Sequence, residues 1–240
     1  GGDVTLNSPL AVRSVLNLFE GVVNTIPPNG LLSMRAGSSV INASDSSYVE
    51  GPMEKIGNTA FTFPIGKNGH MRTAGISNVS GATNAFQAEY FPENGYFDFG
   101  TLAEPTLHHI GQCEYWLIDR TTPAGNATIT LSWQDPYSCL VDVLPELRVA
   151  RWDDLALPPP AGIWRDRGFL NTTGTSFVGN ISTAAIQTDL NNGFNSSGTT
   201  PWALASITAN NPLPISLVQF SAAPEGEVVR LEWVTASERD

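Results

Sequence analysis

The sequence contains little charge, and positive charge least of all. Charged side chains make up 15% of its 240 residues, and Lys55 and Lys67 are its only lysines. With 12 basic and 23 acidic residues, the formal net charge is −11. Nucleic-acid backbones and anionic membrane surfaces bind to basic protein surfaces, so we expect neither to be a partner of this chain.

Long apolar runs and catalytic motifs are absent from the sequence as well. No run approaches the roughly 20 apolar residues that a membrane-spanning helix requires, so we expect no insertion into a membrane. A Gly-x-Ser-x-Gly elbow, a phosphate loop and a His-Glu-x-x-His pattern are also missing. We therefore expect a protein that is not an enzyme and that holds no cofactor. A carboxylate pair for glycoside hydrolysis stays open, because the fold sets the separation of such a pair.

Cysteine is scarce, since Cys113 and Cys139 are the only two. They lie just outside the two clearest strand candidates, Glu114–Arg120 and Ala127–Trp133. If these strands pair with each other, both cysteines come to the same end, and we predict a disulfide between them. Such a bond would close a loop of about 27 residues, stabilise the fold by roughly 3–4 kcal/mol and require an oxidising compartment. The alternative is two separate buried thiols.

Glycine and proline are abundant in place of charge. The sequence has 22 Gly and 17 Pro, and Ser, Thr and Asn are frequent, a mixture typical of many short strands joined by turns. The clearest example is the run Phe-Thr-Phe-Pro-Ile-Gly at 61–66, whose alternating apolar residues predict a strand with one buried face. Pro64 donates no N–H, so we expect this strand to lie at a sheet edge or to end there.

We predict an all-β fold, with an antiparallel β-sandwich of the jelly-roll or immunoglobulin-like kind over residues 48–211. Residues 1–47 contain closely spaced apolar pulses and are predicted to form an N-terminal β-strand region, either solenoid-like coils or extra strands. Within it, Ala11–Val23 also permits a helix, although strand is favoured. Alternation predicts further strands at 85–91, 95–99, 147–152, 171–181 and 202–207.

Residues 212–240 are predicted to form a separate unit. Two alternating runs, 215–220 and 228–234, flank a Pro-Glu-Gly turn and indicate a hairpin, but two strands alone are only marginally stable in water. Either they are the first strands of a truncated module, or they add to a sheet of a neighbouring subunit. The apolar residues of these candidate assembly strands are Leu217, Phe220, Val229, Leu231 and Trp233.

The tryptophans suggest a sugar-binding surface. Trp152 and Trp164 flank a proline-rich run at 157–160 and are the best candidates for a platform that stacks on saccharide rings. Most of the other tryptophans fall at strand positions where packing into the core explains them better.

Metal binding has weaker support. Asp153-Asp154, or Asp189 with its neighbours, could offer oxygen ligands to a loop calcium, but neither follows EF-hand spacing. His108 and His109 are adjacent, and adjacent residues on a strand point to opposite faces, so we do not expect both to bind one ion.

Several runs resemble large secreted surface proteins of Bacteroidetes-type bacteria. They are Tyr-Val-Glu-Gly-Pro-Met at 48–53, Gly-Asn-Thr at 57–59 and the run at 61–66. The runs at 213–220 and 229–238 are similar to the opening of the fibronectin-III-like module of such proteins, which commonly precedes a C-terminal sorting domain for type IX secretion. In patches, the resemblance covers most of residues 40–238.

The resemblance implies an extracellular, β-rich, adhesin-like or structural protein, and it supplies no catalytic residues. We therefore expect a structural or adhesive segment of a cell-surface or filament-forming protein. Its partners would be neighbouring subunits, other surface proteins or glycans. The alternative is a carbohydrate-binding module of a secreted multidomain enzyme, with Trp152 and Trp164 as its platform.

Overall fold

The structure of the chain is a computed structural model that describes residues 2–122, 125–139, 141–153, 162–187, 199–211, 217–225 and 228–235. Strands dominate it, which confirms the predicted all-β fold of the sandwich type. One short helix, α1 (Gly95–Asp98), and a 3₁₀ turn (Leu144–Glu146) lie among the described elements. The strands are β1 Val4–Leu6, β2 Leu10–Val12, β3 Val15–Asn17, β4 Val23–Thr25, β5 Leu32–Met34, β6 Ser39–Ile41, β7 Val49–Glu50, β8 Met53–Ile56, β9 Phe61–Phe63, β10 Gly66–Lys67, β11 His70–Met71, β12 Ala74–Ile76, β13 Ala85–Phe91, β14 His109–Ile110, β15 Tyr115–Arg120, β16 Ile129–Gln134, β17 Leu147–Asp153, β18 Ile163–Asp166, β19 Thr172–Gly174, β20 Val178–Ser182, β21 Pro201–Ser206, β22 Leu217–Glu225 and β23 Val228–Thr235.

Residues 4–56 wind as successive coils whose strands stack in parallel. Coil 1 (residues 4–17) supplies β1, β2 and β3, coil 2 (residues 23–41) supplies β4, β5 and β6, and a third coil begins with β7 and β8. Three parallel ladders result, β1–β4–β7, β2–β5–β8 and β3–β6. This is the strand arrangement of a β-solenoid. The helix that Ala11–Val23 permits does not form, because β2 and β3 pair with strands of coil 2 instead.

The solenoid passes into the sandwich within a single sheet. On one side β8 pairs in parallel with β5, and on the other side it pairs antiparallel with β13. The resulting nine-stranded sheet has the order β18-β17-β21-β15-β13-β8-β5-β2, with β14 paired to β21. The division between residues 47 and 48 drawn from the sequence is therefore not a break in hydrogen bonding. Side chains from both parts also belong to one hydrophobic core.

A five-stranded sheet, in the order β19-β20-β16-β12-β9, packs against one face of the nine-stranded sheet. The core between them includes Phe63 and Trp133 from the smaller sheet and Phe86 and Trp116 from the larger one, each at most 1% exposed. As predicted, β9 is an edge strand and ends just before Pro64.

The predicted disulfide between Cys113 and Cys139 is present, but the strand pairing that suggested it is wrong. Strand β15 pairs with β13 and β21, whereas β16 pairs with β12 and β20 in the facing sheet. The chain therefore crosses from one sheet to the other after Arg120, whose guanidinium donates to the Gly125 carbonyl at 2.7 Å. The two cysteine Cα atoms lie 5.7 Å apart, so the disulfide clamps the two sheets together.

The strand predicted at 95–99 is also wrong, since helix α1 occupies this position. Asn94 caps the helix, because its side-chain oxygen accepts a hydrogen bond from the Tyr96 N–H at 2.9 Å. Phe99 then packs edge-on against Tyr115 and Trp164 in a second core, on the outer face of the nine-stranded sheet. A capped helical turn can gather aromatic side chains on one surface as a strand does, so the pattern alone was ambiguous.

Strands β22 and β23 form the predicted antiparallel hairpin. Among the described strands they pair only with each other. Val229 and Leu231 are 63% and 50% exposed, so no other element in the part of the chain that the structure describes buries these two candidate assembly residues. The side chains of the remaining candidates lie outside the described residues: Leu217, Phe220 and Trp233.

Candidate functional site

The structure does not support the predicted tryptophan platform. Trp152 and Trp164 lie opposite each other on β17 and β18, with ring centroids 5.6 Å apart. They are only 6% and 0% exposed, and the Trp164 indole N–H donates to the Gly100 carbonyl at 2.9 Å. Both rings are core side chains, so neither presents a face to a saccharide. The proline-rich run at 157–160 lies outside the described residues.

A calcium ion at Asp153 is likewise unsupported. Arg151 donates two hydrogen bonds to the Asp153 carboxylate, at 2.6 and 2.7 Å. Arg165 and Arg167 approach the same carboxylate at 3.2 and 3.1 Å. Three guanidinium groups thus occupy the oxygens that a cation would need.

The structure supports none of the other metal ligands considered among the described residues. Within the described ranges, no group of three or more His, Cys, Asp and Glu side chains could hold a metal ion. The Nδ1 atoms of His108 and His109 lie 3.0 Å apart, while Cys113 is consumed by the disulfide. Asp154 and Asp189 lie outside the described residues.

A groove of about 240 Å³ on the outer face of the nine-stranded sheet gathers hydrogen-bonding side chains. Glu89 on β13 and Asp119 on β15 line it together with Gln87 and Thr199. The register pairs Gln87 with Asp119 and Glu89 with Leu117, so Glu89 and Asp119 are diagonal neighbours on one face, and the backbones of such neighbours lie about 7–8 Å apart. No motif spacing marks this pair in the sequence, because it depends on the register of two strands.

Burial makes both carboxyl groups of this groove weaker acids. It raises the pKa of Glu89, against the opposing effect of nearby Lys67. It raises the pKa of Asp119 to about 6, against the opposing effect of nearby Thr200. The groove can therefore present carboxyl hydrogen-bond donors as well as acceptors in mildly acidic solution.

The open face of coil 1 is a second candidate site. Each of its strands is the last in its ladder, so among the described residues one edge of β1, β2 and β3 pairs with no strand. Val4, Leu10 and Val15, one on each strand, are 53%, 46% and 51% exposed. Val15 points away from the core, as its register partner Ser39 does in coil 2, so its exposure does not depend on the open end. Exposed apolar side chains on two sides of the coil and unpaired backbone edges on all three sides make this face a candidate site for strand addition.

The face was not recognised from the sequence, although its strands were predicted there as apolar pulses. The register pairs Val4 with Val23 but Leu10 with Leu32, so the spacing between coils differs from ladder to ladder. A fixed repeat, the usual sequence signal of a solenoid, is consequently absent.

No protein family, no curated protein and no solved structure matches this chain. In the described part of the chain, none of the helices is long and apolar enough to cross a membrane.

Proposed function

We propose that the chain is a structural or adhesive segment of an extracellular bacterial surface or filament-forming protein, and that it works without catalysis. The observation that carries the proposal is the continuous sheet, which runs from the solenoid coils into the sandwich. A shared sheet and a shared core join the two parts rigidly. Rigid joining suits a segment that presents or spaces other parts of a surface protein.

The disulfide supports the extracellular part of the proposal. Disulfides persist in oxidising compartments and are rare in the cytosol. Cys113–Cys139 connects two sheets that otherwise adhere through side-chain packing, which is the place where a covalent link resists mechanical separation. Export by type IX secretion and an adhesin-like role are proposed from the sequence resemblance alone.

Single-molecule pulling on the ends of the full chain tests this function. We expect the coils and the sandwich to unfold together in one high-force event, which reduction of the disulfide would weaken. If the coils peel off at low force while the sandwich stays folded, the rigid segment is refuted. A hydrolytic activity that Asp119→Asn abolishes would refute the non-enzymatic role.

A second candidate is a carbohydrate-binding module of a secreted multidomain enzyme. With the tryptophan pair buried, the groove of Gln87, Glu89, Asp119 and Thr199 is what favours it, since amide, hydroxyl and carboxyl groups bind sugar hydroxyls. Binding on a glycan array that Glu89→Gln and Gln87→Ala both remove would support this function. Binding that survives both substitutions would place the glycan elsewhere and leave this groove without a role.

A further inference from the structure

We propose that the open face of coil 1 binds one further β-coil of the same kind, stacked on β1, β2 and β3 with its strands parallel to theirs. The inference rests on the proposed function, and it names the partner that a structural segment of this shape would take.

In one ladder, the side chain of coil 1 is exposed, although the aligned side chains of the inner coils are buried. In the ladder β2–β5–β8, the register aligns Leu10 with Leu32 and Leu32 with Met53. Leu32 and Met53 are 0% exposed, whereas Leu10 is 46% exposed. The same kind of side chain occupies the same column, and only its position at the end of the stack exposes it. One additional coil would restore the environment that the inner coils have.

Within the strands of coil 1, only their short length of three residues protects the edge against strand addition, although Pro9 and Arg13 flank β2. Exposed edges are normally blunted by charged side chains, proline or bulges. The three strands of coil 1 read Val-Thr-Leu, Leu-Ala-Val and Val-Leu-Asn, without charge or proline. Their backbones pair regularly with coil 2, for example from the Leu10 N–H to the Leu31 carbonyl at 2.8 Å. An additional coil would therefore continue an interface that the molecule already uses.

One polar side-chain contact also joins coil 1 to the chain just after coil 2. The Asn42 side-chain amide donates to the Asn17 side-chain oxygen across the coils, at 2.9 Å. Asn17 lies in coil 1, so another coil with an amide at the equivalent position would extend this ladder. The partner we infer therefore combines apolar strand residues with a polar corner.

The direction of the strands identifies a parallel coil and argues against a second copy of this chain. Copies cannot stack head to tail, because β13 covers the far edge of β8, where the next coil would have to attach. Two copies meeting at coil 1 through a two-fold axis would place their strands antiparallel. The ladders between coils are all parallel.

The test adds one coil to the chain. A variant carries residues 4–22 twice, with the second copy inserted between Asp3 and Val4, so that the new junction imitates the native step from Val22 to Val23. Leu10 of the original coil is replaced, Leu10→Cys, in both this variant and the parent chain. We expect insertion of the coil to slow labelling of this thiol at least about tenfold and to raise the melting temperature.

A matched control carries Leu10→Pro in the inserted copy only, which removes the N–H that would pair with the original coil. Its thiol should label at the rate of the parent chain. If the intact insertion leaves the labelling rate unchanged in a folded protein, the proposal is overturned. It is equally overturned if the parent chain is a dimer that Leu10→Arg dissociates, because a second copy would then be the partner. Failure of the proposed function would instead appear as a hydrolytic activity of the protein, or as unfolding of the coils at low force in the pulling experiment. Neither outcome would change the labelling rates of the thiol.

Discussion

At the scale of single residues, Glu114 is an acidic side chain that is only 3% exposed. Its carboxylate is buried beside the disulfide, accepts a hydrogen bond from the Tyr90 hydroxyl at 2.8 Å and lies 3.6 Å from the Arg72 Nε. Burial raises the pKa of Glu114 to about 7, and the hydrogen bonds and Arg72 only partly oppose the shift. The folded protein therefore binds this proton more tightly than the unfolded chain does.

Glu114 should make stability depend on pH in a defined direction. Its stabilising contribution is complete below the ordinary pKa of 4.5 and is lost as the pH rises to about 7. In Glu114→Gln this loss should disappear, which corresponds to about 3 kcal/mol across the interval. Urea unfolding of both proteins between pH values of about 4 and 8 measures the difference. Parallel pH profiles would show that Glu114 does not titrate in this range.

Trp152 provides a second test at this scale. Because it is a core side chain, Trp152→Ala should destabilise the fold by about 3–5 kcal/mol. Phe97 is an aromatic residue of neighbouring α1 that is 88% exposed, and Phe97→Ala should change stability by less than about 0.5 kcal/mol. Chemical denaturation compares the two variants. Loss of glycan binding in Trp152→Ala at unchanged stability would restore the platform that the structure argues against.

At the scale of elements, the hairpin β22–β23 is the least integrated part of the described chain. The register pairs Ala222 with Leu231 and Pro224 with Val229, and Phe220 with Trp233 is the next pair in this series. Ala222 and Pro224 are exposed, as are Val229 and Leu231. Two strands with an uncovered apolar face are marginal in water, whether the cover is the rest of a module or a sheet of a neighbour.

Deletion of residues 213–240 separates these alternatives. Because the hairpin shares no described sheet with the sandwich, residues 1–211 should keep their melting temperature. If the hairpin adds to a neighbouring subunit, polymers of the full chain should vanish after deletion. Electron microscopy and sedimentation check the outcome, and polymers that persist would exclude the hairpin as the assembly element.

At the scale of the whole molecule, the coils and the sandwich share one hydrophobic core. We therefore expect them to unfold as a single cooperative unit. Leu32→Ala in coil 2 removes a completely buried side chain and should cost about 2–5 kcal/mol. All six tryptophans lie outside the coils, so their fluorescence reports on the remainder of the chain. We expect Leu32→Ala to lower the melting temperature seen by tryptophan fluorescence, together with that seen by circular dichroism.

Leu10→Ala is the matched control, since Leu10 occupies the same ladder in coil 1 but is half exposed. It should lower stability by less than about 1 kcal/mol, because most of the Leu10 surface is already in contact with water. A tryptophan transition that does not respond to Leu32→Ala would show that the coils melt separately, and the single unit would be disproved.

Local patterns in the sequence determined where several strands lie and which of their faces are buried. Alternation at β13 predicted a strand with one inward face, and the proline after β9 predicted a sheet edge. Both features could be predicted because each depends on residues that are neighbours in the sequence. The disulfide was predicted correctly for a reason that proved wrong. Alternation tells which side chains share a face, but it does not tell which strand lies alongside, so β15 and β16 were paired with each other instead of being placed in facing sheets.

Only the tertiary structure decided which faces are covered. The second core buries Trp152 and Trp164, and three arginines bind the carboxylate of Asp153. The sandwich covers one end of the coil stack, whereas the coil 1 end is not covered by any described strand. None of these follows from spacing along the chain, because each depends on segments that are distant in sequence and brought together by the register of the sheets. The sequence by itself determined a chain of short strands with a disulfide, and the packing of those strands determined which edges and side chains are covered.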